Sequence, residues 1–121
     1  MPKNESFLVN RIKSVGYALK GALLLTKEPS IKIQLVITVL VTIAGFYFEI
    51  SKTEWLIQIL AIALVMGIEG INTAIEEIAN FIHPEYNAKI GYIKDIAAGA
   101  VFIAAISTFI MGCIIYIPKI F

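Results

Sequence analysis

A chain of 121 residues that is 59% hydrophobic and only 16% charged falls short of the roughly one-quarter charged share of a water-soluble domain, and its mean hydropathy of +0.85 assigns it to a lipid bilayer. Ten Lys and Arg against nine Asp and Glu leave a formal charge of +1, so no nucleic-acid or strongly acidic partner is expected. A single cysteine, Cys113, and a single histidine, His83, exclude an intrachain disulfide scaffold and a histidine-rich metal site.

The opening residues carry charges and no long apolar stretch, so membrane insertion is expected to rely on internal segments. Within residues 6–27, Leu8, Ile12, Val15, Leu19 and Leu23 recur at three- and four-residue steps, while Arg11, Lys13 and Lys20 fall largely off that stripe. This is the pattern of a helix lying in the membrane surface, apolar face in the acyl boundary and basic side chains near headgroups. Pro29 breaks it. Residues 31–50 form a mostly apolar stretch of about the length that spans a bilayer core. Ser51 to Glu54 reads as a short polar turn, which forces an antiparallel return. Residues 55–82 then read as a second membrane helix, about 42 Å long at 1.5 Å per residue and so longer than the ~30 Å hydrocarbon core.

His83 to Asp95 is polar and contains Pro84 and Gly91, whereas residues 96–118 carry no charge and give the clearest spanning signal. Lys3, Arg11, Lys13, Lys20, Lys27 and Lys32 flank one side of the membrane together with Lys89 and Lys94, against Lys52 and Lys119 on the other. By the positive-inside rule the amino terminus and the 83–95 loop are cytoplasmic and the carboxyl terminus is outside. The expected fold is an all-α integral-membrane bundle of three spans plus a surface helix, as one domain over residues 1–121.

The second span is not uniformly apolar. Glu69, Asn72, Glu76 and Asn80 fall within about 80° of one another at 100° per residue. A charge at the bilayer centre costs at least ~2.5–3.5 kcal/mol on insertion scales, which marks such residues as functional by default. Lys94 and Asp95 begin the third span at the same cytoplasmic level, and Glu28 ends the surface helix there. Oxygen-rich sites of this kind suit Mg²⁺ when phosphate oxygens complete its octahedron, and lysine serves phosphate as a point charge. The expectation is a metal–phosphate site at the inner membrane face. No GxxxxGK[ST] loop and no glycine-rich kinase loop occurs. Three helices cannot hide an acidic stripe from lipid on every side, which calls for neighbouring chains. Gly70 and Ala74, and Ala100 and Ala104, are spaced for close helix approach.

The run Glu69-Gly-Ile-Asn72-Thr-Ala-Ile-Glu76, followed by Pro84-Glu85-Tyr86 and by Lys94-Asp95-Ile-Ala-Ala-Gly-Ala-Val101, resembles the signature of the prokaryotic diacylglycerol kinase family, which includes the undecaprenol kinases. Ser14-Val-Gly-Tyr17-Ala-Leu-Lys20-Gly21 and Lys27-Glu28-Pro-Ser-Ile-Lys32 extend the likeness to the surface helix and its junction. The resemblance implies a homotrimer in the bacterial inner membrane that moves the γ-phosphate of Mg-ATP to a membrane lipid alcohol, diacylglycerol or undecaprenol. It implies Glu69 as general base, Glu28 and Glu76 as Mg²⁺ carboxylates, and Asn72, Lys94 and Asp95 at the catalytic centre. Tyr17, Glu85, Tyr86 and Asn87 match positions that contact ATP, and Arg11 or Lys13 matches the basic residue of the surface helix. Asn80 stands where many relatives carry aspartate, and Asn87 where one branch has histidine. Two readings from other classes use the same residues differently: an oligomeric cation or proton channel lined by Glu69 and Glu76, and a purely structural membrane subunit.

Overall fold

The computed structural model describes residues 6–121, which form four helices: α1 (Phe7–Leu25), α2 (Pro29–Tyr47), α3 (Lys52–Ile82) and α4 (Ala88–Ile120). Lys3, counted above in the charge asymmetry, lies outside the described residues. The last three helices are long and apolar enough to cross a membrane, so the all-α expectation of three spans and an amino-terminal amphipathic helix holds.

Helix ends differ from the sequence reading where local caps and turns, and not the hydrophobic pattern, decide them. Ser6 caps α1 by accepting from the Val9 amide at 3.3 Å, and the helix closes at Leu25, where the Thr26 hydroxyl bonds back to the Leu23 carbonyl. Pro29 starts α2 instead of merely ending α1, because a proline in the first turn gives up only an N–H that has no intrahelical partner. The same helix stops at Tyr47 rather than residue 50, and Glu49 turns the chain at φ 51°. Ser51 and Glu54 form a reciprocal capping box, so the stretch read as a turn is the start of α3 at Lys52. Asn87 accepts from the Lys89 and Ile90 amides and starts α4 at Ala88, well before residue 96. Lys94 and Asp95 therefore sit inside a helix, and the connection between α3 and α4 shrinks to residues 83–87.

α3 and α4 pack as an antiparallel hairpin, and α2 packs on α3. Small residues line the close approaches: Ala79, Ala97 and Ala104 are buried. Three polar ties run the length of the hairpin. Lys119 pairs with Glu54 at 3.3 Å at one end, and Lys94 donates to Asn80 at 2.6 Å at the other. Between them Gln58, 2% exposed, donates to the Val41 carbonyl at 3.2 Å and carries the Tyr116 hydroxyl on its own amide oxygen. A polar group inside a membrane protein needs such partners.

The rest of the surface is apolar. Leu8, Ile12, Val15, Leu19 and Leu23 of the α1 stripe are all exposed, as are the outer faces of the three long helices. An exposed apolar area on this scale has the bilayer as its solvent.

Candidate active site

Along α3, Gln58, Val65, Glu69, Asn72 and Glu76 share one face within about 60°. Gln58 and Val65 on that face are buried toward α2 and α4. Further along, the same face turns polar, with Glu69 and Asn72 half-buried and Glu76 exposed. Glu69 lies about 26 Å from the start of α3, and Glu76 about 10 Å beyond it, so the carboxylates step out of the apolar zone in sequence order.

Asn72 is held by its neighbour. Its amide nitrogen donates to Glu76 Oε1 at 3.1 Å, one turn on, while its own Oδ1 is buried and without a hydrogen-bond partner. Such an oxygen beside a carboxylate is matched by a cation or by a donor that arrives with a ligand. Among the described residues no three His, Cys, Asp or Glu side chains form a ready-made metal cage. That donor set still fits Mg²⁺, which keeps several waters and takes one or two carboxylates plus substrate phosphates.

Leu25, at the end of α1, packs on Gly70. A Cβ there would stand 3.0 Å from a Leu25 methyl, so the glycine next to Glu69 is what lets α1 dock on α3. Glu28 follows three residues later at the α2 N-cap position and makes no capping hydrogen bond, which leaves its carboxylate uncommitted to the helix end. On α4, Lys94 bonds to Asn80 and neighbours Asp95, which is exposed. The α3–α4 register thus brings the Lys94 ammonium to the C-terminal end of the acidic face of α3, and Asn80, to which the sequence reading gave no role, is its anchor. Sequence spacing put Asn80 on the right face, but nothing in one chain's spacing announces a partner fourteen residues away.

The expected nucleotide-contacting residues are more scattered. Tyr86 is 90% exposed with its ring beside Gly91 at the start of α4. The Glu85 carbonyl meets His83 Nδ1 at 2.9 Å, and the Asn87 side-chain oxygen is occupied by the cap of α4. Tyr17 is exposed on α1. The Arg11 guanidinium lies over the Phe7 ring at 5.6 Å, with Ser14 within 3.5 Å. Arg11 and Lys13 sit about 21 and 18 Å along α1 from Leu25, the residue through which α1 meets Gly70, whereas Lys94 is tied to the α3 polar face through Asn80.

The prokaryotic diacylglycerol kinase family model matches residues 16–116. The chain is 39% identical to the undecaprenol kinase of Bacillus subtilis over 80 residues, covering 66% of this chain and 65% of that one, just under two thirds of its length. It is 29% identical to the diacylglycerol kinase of Escherichia coli K12 over 116 residues, covering 95% of each. The matched segment contains α2, α3, nearly all of α4 and the acidic face described above, and the chain belongs to the prokaryotic diacylglycerol kinase family of membrane lipid kinases.

Proposed function

We propose that this protein transfers the γ-phosphate of ATP to the hydroxyl of a membrane lipid alcohol, undecaprenol or diacylglycerol, at the cytoplasmic face of the bacterial inner membrane, working as a homotrimer. The observation that carries this reading is the acidic face of α3: a half-buried Glu69, then the Asn72–Glu76 pair with its unpartnered Asn72 oxygen. The names of the relatives supply the two acceptors. The trimer is supported by Glu69, a carboxylate on the hydrocarbon side that one chain leaves only half-buried.

Phosphoryl transfer asks a protein mainly for in-line positioning, charge neutralisation and a base for the incoming hydroxyl. Glu28, Glu76 and the Asn72 oxygen would hold Mg²⁺, which supplies charge neutralisation on the nucleotide phosphates. Glu69, deeper in the membrane than Glu76, takes the proton of the lipid hydroxyl as its oxygen forms a bond to the γ-phosphorus. The bond from that phosphorus to the β–γ bridging oxygen breaks, ADP leaves with the electron pair, and the proton stays on Glu69 until water removes it. Lys94, oriented by Asn80, presents its charge to the phosphates. Lipid reaches Glu69 from the bilayer and nucleotide reaches Glu76 from the water. In mixed micelles with Mg-ATP, Glu69→Gln and Glu76→Gln are each expected to lower lipid phosphorylation by about 10²-fold or more with assembly intact by size-exclusion chromatography. Near-native activity in either assembled variant would overturn the assignment.

A further inference from the structure

His83 is the single histidine of the chain, and none of the roles assigned above uses it. Its amide donates to the Ala79 carbonyl at the end of α3, and its backbone there is extended, at φ −149° and ψ 87°. Pro84 follows and disfavours the helical region for the residue before it, so α3 stops at that point. Two side chains then fold back on the connection over residues 83–87. At its near end His83 Nδ1 meets the Glu85 carbonyl at 2.9 Å. At its far end the Asn87 side chain accepts from the Lys89 and Ile90 amides. A carbonyl oxygen only accepts, so Nδ1 is the ring nitrogen that carries the hydrogen.

Glu85 and Tyr86 lie between these two ties. Both are exposed, Tyr86 by 90%, with only an edge of its ring near Gly91. His83 stands three residues after Asn80, about 4.5 Å along the axis, and Asn80 holds Lys94. A bare aromatic ring and a bare carboxylate at the same end of the hairpin as that ammonium suit the base and ribose of a nucleotide whose phosphates Lys94 meets. We infer that His83 is a positioning residue for the nucleotide: its bond to the Glu85 carbonyl holds the 83–87 connection in the shape that presents Glu85 and Tyr86 to ATP. The inference rests on the kinase reading and deepens it. His83 acts through the backbone and touches no substrate. Without its bond, ATP must order the connection as it binds, and that cost is subtracted from its affinity. Glu69 and Lys94 are unaffected, so the change falls on the KM for Mg-ATP and not on turnover.

Three variants separate the hydrogen bond from the bulk of the ring. In His83→Asn the amide nitrogen takes the place of Nδ1 and keeps the donor, in His83→Gln it lies near the place of Nε2, and His83→Ala has no donor. In mixed micelles with varied Mg-ATP, His83→Ala and His83→Gln are each expected to raise KM for Mg-ATP about three- to tenfold, the range of one hydrogen bond. Their kcat and their KM for the lipid should stay within about twofold of wild type, and His83→Asn should bring KM for Mg-ATP back to within about twofold. An unchanged KM in His83→Ala, a loss confined to kcat, or no rescue by His83→Asn overturns the inference. A second measurement needs no variant. In untagged protein, histidine labelled with the heavy nitrogen isotope gives the ring signals of His83 alone, and at about pH 9, where an imidazole is neutral, Nδ1 is expected to be the protonated nitrogen. An unprotonated Nδ1 cannot donate to the Glu85 carbonyl and overturns the inference whatever the kinetics. If wild type neither binds Mg-ATP nor phosphorylates lipid, the kinase reading fails and takes the nucleotide role of His83 with it, whereas failure of the variants alone leaves that reading standing.

Discussion

Lys94 illustrates how much of this site depends on one hydrogen bond. A lysine ammonium on a flexible stem is a movable point charge, and the Asn80 oxygen 2.6 Å away fixes where it points without cancelling its charge. Removing the acceptor by Asn80→Ala frees the ammonium and should raise KM for Mg-ATP about three- to tenfold, the range expected for a partly exposed bond to a charged group. Asn80→Asp still offers an oxygen and should stay within about twofold of wild type. Steady-state kinetics with varied Mg-ATP checks both, and an unchanged KM in the alanine variant would mean that Asn80 is a bystander. The stripe through Glu69, Asn72, Glu76 and Asn80 was readable from 3.6-residue periodicity, because a helical face is a local property. The Lys94 link was not, since it depends on the register between two helices.

At the scale of the helix, hydrophobic pattern located all four elements, and cap chemistry decided their ends. Residues 96–118 are the uncharged part of α4, but the helix begins at Ala88 because the Asn87 side chain satisfies two orphan amides before any apolar run starts. The S-x-x-E of Ser51 and Glu54 was present in the sequence as a helix-start signal and outweighs its polarity. What periodicity could not disclose is which glycine is packed against. Gly45 faces the Trp55 indole, whose ring would lie 2.6 Å from an added Cβ, whereas Gly112 faces open space. Gly45→Ala must push the indole out of a junction that also buries Ile50, at a typical overpacking cost of about 1–3 kcal/mol against a helix-propensity gain of about 1 kcal/mol. A lower midpoint of thermal unfolding in detergent is therefore expected for Gly45→Ala, and an unchanged or higher one for Gly112→Ala. Equal midpoints would show that the Trp55 side chain yields without cost.

For the whole molecule, length and charge together set how the hairpin sits in the bilayer. α4 is about 50 Å long, yet its uncharged stretch from residue 96 to 118 is about 34 Å, close to the ~30 Å core. The surplus therefore belongs almost wholly to the end that carries Lys89, Lys94 and Asp95, and antiparallel packing puts the last turns of α3, with Glu76 and Asn80, beside it. The acidic face thus crosses from hydrocarbon to water within α3, with Glu69 on the inner side of that boundary. The opposite end closes within a few residues at the Ser51 cap and the Glu54–Lys119 pair. Because Lys and Arg concentrate on the site's side of the membrane, that side should be cytoplasmic, which is also where ATP is. Single cysteines at Lys52 and at Glu85, each in a Cys113→Ser background, test the orientation directly. With a membrane-impermeant maleimide on intact cells, Lys52→Cys should label at once and Glu85→Cys only after permeabilisation. The reverse pattern would set Glu69, Glu76 and Lys94 on the face that ATP does not reach, and no arrangement of the residues within the chain could then rescue a kinase that draws its phosphate from the cytoplasm.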